Sequence, residues 1–79
     1  GQAGPAVLIC TPMKDAAREI DEYVARLRAL TYPHRRIDLG FLESDSRDKT
    51  VQTLAAHLPA LRREFRSVGF WKHDYGYQI

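Results

Sequence analysis

The chain has 79 residues, a formal net charge of +2, 44% hydrophobic and 28% charged residues, the composition of one globular domain at most and not of a disordered segment. A single cysteine excludes an internal disulfide framework and a four-cysteine zinc site, and the longest apolar run, residues 6–10, is far shorter than the roughly 20 residues that span a bilayer. The charge is too balanced to make nucleic acid the default partner, and residues 1–5 lack the positive n-region of a signal peptide.

Residues 1–5 read as a leader of small residues, ahead of a domain over residues 6–79. Residues 6–10 form an unbroken apolar run, which predicts a strand buried on both faces, stopped by Thr11-Pro12. Ala16, Ile20, Val24 and Leu27 then recur at helical spacing. Asp15 is the expected cap of that helix, with Glu19 in its first turn and Arg26 and Arg28 near its end. Pro33 closes it. Residues 37–43 predict a second strand and residues 44–48 a polar loop. A second helix is expected from about Asp48, itself an N-cap candidate, with Pro59 kinking or dividing it near His57. Residues 66–72 predict a third strand, with Val68 and Phe70 on one face and Trp71 on the other, and residues 73–79 a tail that turns at Gly76. The order β-α-β-α-β implies a parallel sheet with right-handed crossovers, half of an open doubly wound α/β domain.

In such sheets ligands bind beyond the carboxyl ends of the strands. Three turns fall there, at residues 11–14, 44–48 and 73–76. No G-x-G-x-x-G or Walker A loop is present. Acidic, hydroxyl-bearing turns without phosphate-cradling glycines suit the base and ribose of a nucleoside, whose hydroxyls and amines a carboxylate can accept. The diphosphate would then need neutralising elsewhere, most simply by a metal ion. Each residue also has a plainer reading. Thr11-Pro12 ends a strand, Asp48 caps a helix, and Asp45 and Asp74 make turns. Cys10 is a small buried hydrophobe, Trp71 a core aromatic rather than a sugar-stacking ring, and the scattered arginines a solvated face. His34, His57 and His73 have no metal-ligand spacing.

Four blocks carry a family resemblance. Val7-Leu8-Ile9-Cys10-Thr11-Pro12-Met13-Lys14-Asp15-Ala16 resembles the opening strand of glycosyltransferase family 62, the fungal Golgi mannosyltransferases that build mannan backbones. Leu30-Thr31-Tyr32-Pro33-His34 resembles that family's turn before its second strand, and residues 39–50 its second strand and acidic loop. Phe65-Arg66-Ser67-Val68 and Lys72-His73-Asp74-Tyr75-Gly76 resemble its third strand and closing Asp-aromatic-Gly. The resemblance implies a GT-A, Rossmann-like nucleotide-sugar fold of which this chain is the N-terminal half. It implies GDP-mannose as donor, manganese as metal, and retaining transfer of mannose to a mannan or glycoprotein glycan acceptor. It implies a Golgi protein, membrane-anchored and lumenal, within a multi-subunit mannosyltransferase complex. The nucleoside would sit against Thr11, Pro12, Asp45 and Asp74. No Asp-x-Asp follows a fourth strand, so no catalytic residue and no manganese ligand is assigned here, and the chain alone is expected to be inactive.

The alternative is a free-standing α/β binding or interaction module without catalysis, and a further one is a transferase using another nucleotide sugar. Every reading predicts a thin core with an unpaired sheet edge, and with it dimerisation or strand exchange.

Overall fold

The computed structural model describes residues 4–76. Strand β1 (Val7–Met13), helix α1 (Ala17–Arg28), a 3-10 turn (His34–Arg36), strand β2 (Ile37–Glu43), helix α2 (Thr50–Glu64) and strand β3 (Ser67–Lys72) follow in that order. The sheet is parallel throughout, in the order β1-β2-β3. The fold is therefore the α/β arrangement expected, a three-stranded parallel sheet with two helices.

Successive strands step in one direction, so right-handed crossovers bring α1 and α2 onto the same face of the sheet. Between them lies the core: Ile20, Val24 and Leu27 from α1, Leu54, Leu58 and Leu61 from α2, Ile37, Leu39 and Phe41 from β2, and Phe65. Val68 and Phe70 of β3 and Ile9 of β1 pack against it. The opposite face has no helical layer among the described residues. Leu8, Leu42 and Trp71 are 65%, 45% and 59% exposed there.

This one-sided cover corrects three expectations. The apolar run of β1 is not buried on both faces: Ile9 faces the helices while Leu8 and Cys10 face outward, exposed, so Cys10 is not the small buried hydrophobe expected. Trp71 is not a core residue, and its indole instead lies over Gly69 and Gly40, where a Cβ would meet ring atoms at 2.3 and 3.3 Å. The absence of side chains at both glycines is what makes room for the ring.

Two prolines behave differently from expectation. β1 runs on through Thr11-Pro12 to Met13, in register with Phe41, Leu42 and Glu43 of β2. Pro12 lacks an amide donor, but β1 is an edge strand, where one missing donor can face away from the ladder. Pro59 lies inside α2, yet the helix is continuous from Thr50 to Glu64. Pro59 and Ala55, whose carbonyl loses its donor, are both exposed, so water can satisfy that carbonyl.

The described part of the expected leader is not wholly detached, since the Tyr32 hydroxyl donates to the Pro5 carbonyl; residues 1–3 and 77–79 lie outside the described residues.

Candidate functional site

Parallel strands bring all their carboxyl ends to one edge of the sheet. The ladder continues past the strands, with the Ser44 amide donating to the Met13 carbonyl at 3.1 Å and the His73 amide to the Glu43 carbonyl at 3.0 Å. Residues 14–16, 44–49 and 73–76 therefore leave the sheet side by side.

The first two of these loops are sewn together by side chains. Asp15 and Asp45 both adopt left-handed backbone, with φ of 49° and 53°, a region that aspartate tolerates better than most residues. Asp15 does not cap α1 as expected. Its Oδ1 accepts the Arg47 amide at 2.7 Å, while its own amide donates to Ser46 Oγ at 3.0 Å. The caps of α1 come from the neighbouring loop: the Ala16 amide donates to Thr50 Oγ1 at 2.8 Å and the Ala17 amide to Asp48 Oδ2 at 3.1 Å. Asp48 Oδ1 also accepts the Thr50 amide at 2.9 Å and the Thr50 hydroxyl. One aspartate thus serves the first turns of both helices, where the helix dipole favours a carboxylate. The hydroxyl of fully buried Thr50 and the backbone amides that the carboxylate accepts outweigh desolvation and hold the Asp48 carboxyl below its usual value.

The second and third loops are joined by a reciprocal pair. The Asp45 amide donates to Asp74 Oδ1 at 2.9 Å, and the Asp45 carboxylate accepts the Tyr75 amide at 3.0 Å and the Gly76 amide at 2.9 Å. Lys72 Nζ donates to both Asp74 oxygens at 2.8 Å and pairs with Glu43 Oε1 at 3.1 Å. Glu43 is buried under the loops, and its Oε2 accepts the Ser46 amide at 2.8 Å. Burial pushes the Glu43 carboxyl up, but the hydrogen bonds from Ser46 and the Lys72 ammonium outweigh it and hold the group below its ordinary value. Lys72 likewise holds Asp74 down, and Asp74 and Glu43 hold the Lys72 ammonium up.

On the open side of this edge is a cleft of about 240 Å³ lined by Pro12, Leu42, Glu43, Ser44, Trp71, His73 and Tyr75. His73 and Tyr75 meet edge to face at 4.5 Å between ring centroids. Its walls offer aromatic faces, a hydroxyl and an imidazole, enough to stack a planar ring and bond its edge.

The four residues expected from sequence are only partly brought together. Asp45 and Asp74 are hydrogen-bonded neighbours, but neither lines the cleft. Pro12 lines it. Thr11, one residue earlier on the strand, faces the helices, where its hydroxyl meets the Tyr23 hydroxyl at 2.5 Å. Sequence reasoning placed the turns holding Ser44, His73 and Tyr75 at this edge without giving those residues a role, preferred a core role for Trp71 over a sugar-stacking one, and missed Lys72 as the link between loops. The signal available for Trp71 was its place on the sheet face opposite Val68 and Phe70. Among the described residues no group of three or more His, Cys, Asp or Glu side chains is placed to hold a metal ion. No described helix is long and apolar enough to cross a membrane.

Parallel strands in this order, with an acidic, aromatic-lined edge, make this an α/β segment. Sequence comparison is more specific. A model of the Anp1 family matches residues 2–79, and the chain belongs to that family. It is 38% identical over 76 residues to the mannan polymerase II complex anp1 subunit of Schizosaccharomyces pombe, covering 89% of this chain and 18% of that protein. It is 33% identical over 81 residues to the mannan polymerase II complex ANP1 subunit of Saccharomyces cerevisiae, covering 95% of this chain and 16% of that protein. The mannan polymerase I complex VAN1 subunit of the same yeast is 42% identical over 53 residues, 65% of this chain and 10% of that protein. The chain thus spans less than a fifth of the length of these relatives. These matches correct the family resemblance drawn from the motifs: they place the chain in the Anp1 family, whose matched relatives are named as subunits of mannan polymerase complexes, and not as a glycosyltransferase family 62 domain fragment.

Proposed function

We propose that this chain is part of a subunit of a mannan polymerase complex, working in mannan synthesis in the Golgi, and that its strand-end cleft takes the nucleoside of a GDP-mannose donor. The relatives' names support the first half of this reading. The cleft carries the second: a recess of about 240 Å³ at the carboxyl edge of a parallel sheet, walled by Trp71, His73 and Tyr75 beside Ser44. The four residues expected from sequence then act in different ways. Pro12 forms part of the cleft, Thr11 fastens β1 to α1, and Asp45 and Asp74 hold the loops that shape it. Transfer of mannose to the glycan acceptor, and manganese to neutralise the diphosphate, would call on groups outside the described residues.

The test is calorimetric titration of GDP into the full-length protein that contains this chain, with and without Trp71→Ala. Stacking a base on an aromatic ring contributes about 1–3 kcal/mol, so the variant should bind GDP roughly 5- to 150-fold more weakly. Equal affinity in both proteins would contradict the reading.

A further inference from the structure

Asp45 is the residue that sequence chemistry recommends most strongly as a ligand group, and its surroundings assign it a different task. Both carboxylate oxygens already accept backbone amides, those of Tyr75 and Gly76, at 3.0 and 2.9 Å. Its own amide is spent on Asp74 Oδ1 at 2.9 Å. Asp74 in turn receives the Lys72 ammonium on both oxygens at 2.8 Å, and Lys72 is tied down to buried Glu43 at 3.1 Å. Asp45 sits in left-handed backbone, φ 53°, a region that aspartate enters more readily than most residues. The cleft is lined by Tyr75 and His73 but by neither aspartate.

We infer that Asp45 is a positioning residue: with Asp74 it forms a clasp between the loops after β2 and β3, and it shapes the cleft through Tyr75 without touching the ligand itself. This rests on the nucleoside reading of the cleft. The clasp explains why the acidic pair lies at this edge although neither carboxylate faces the recess. It also assigns recognition to Ser44, Trp71, His73 and Tyr75, the cleft side chains with a hydroxyl, a ring nitrogen or an aromatic face to offer.

The two roles separate in a ligand-variation cycle on the full-length protein. GDP, 2′,3′-dideoxy-GDP and inosine diphosphate are titrated into the wild type and Asp45→Asn, and amide hydrogen exchange is followed without nucleotide. A positioning role predicts that Asp45→Asn weakens all three nucleotides by one common factor, about tenfold, the scale of one hydrogen bond to a charged group. It also predicts faster exchange at the Tyr75 and Gly76 amides. If the penalty vanishes with the dideoxy compound or with inosine diphosphate, the carboxylate bonds the ribose or the guanine amine directly, and the inference is overturned. Unchanged exchange at Tyr75 and Gly76 overturns it as well. Faster exchange in a protein that binds none of the nucleotides supports the clasp and removes the nucleoside reading.

Discussion

Thr50 shows how much a single side chain can carry at this edge. It is fully buried, accepts the Ala16 amide and donates to Asp48, so it joins the starts of both helices. Thr50→Val keeps the shape and removes both bonds, leaving the Ala16 amide without its acceptor. A loss of about 1–3 kcal/mol is expected in urea unfolding; a variant as stable as wild type would mean that water replaces the hydroxyl freely. The lowered carboxylates make a second prediction. Asp38, Glu43, Asp48, Glu64 and Asp74 are all held below their ordinary values. A carboxyl whose folded value lies below its unfolded one stabilises the fold above the unfolded value and loses that contribution as pH falls through the folded one. Stability should therefore hold at neutral pH and decline on acidification past the unfolded values of 3.8 and 4.5. A thermal midpoint independent of pH from 6 down to about 3 would contradict this. At this scale the sequence identified Asp45, Asp48 and Asp74 by residue type and position. It could not reveal their partners, because Tyr75, Gly76 and Ala17 lie some thirty residues away along the chain, and no local periodicity encodes such pairings.

At the scale of elements, period and composition located both helices and all strands, and residues 37–43 emerge as β2 with the expected bounds. The helical stripe of Ile20, Val24 and Leu27 is buried as its spacing requires. Ile20 is fully buried among both helices and the sheet, so Ile20→Ala should cost about 2–5 kcal/mol through lost burial and the cavity left behind. Where the reading failed, position in the sheet was the missing information. Proline is a strand breaker in a central strand and tolerable at an edge, and nothing in residues 6–13 announces that β1 is an edge. Pro59 was likewise read as a break, whereas α2 absorbs it on its exposed side. It does so at a cost: Pro59→Ala restores a donor to the Ala55 carbonyl and should stabilise the protein by on the order of 1–3 kcal/mol. A destabilised variant would show that the proline is needed where it stands.

At the scale of the whole molecule, the described residues form a sheet covered on one face. α1 and α2 bury one side, and Leu8, Cys10, Leu42 and Trp71 are left on the other. Trp71 is the sole tryptophan of the chain, and its ring rests on Gly69 and Gly40. A Cβ at residue 69 would overlap that ring at 2.3 Å, so Gly69→Ala should swing the indole into water and red-shift its fluorescence. An unshifted spectrum would place the ring elsewhere. This ring is also a wall of the cleft, which links the open face of the sheet to the proposed site. The most direct test of that proposal is a hydrogen-exchange footprint of GDP on the full-length protein that contains this chain. Binding at the strand-end cleft predicts slowed exchange in residues 42–46 and 71–76, the segments that wall it. Slowed exchange confined to other parts of the polypeptide, with these two segments unchanged, would contradict the account.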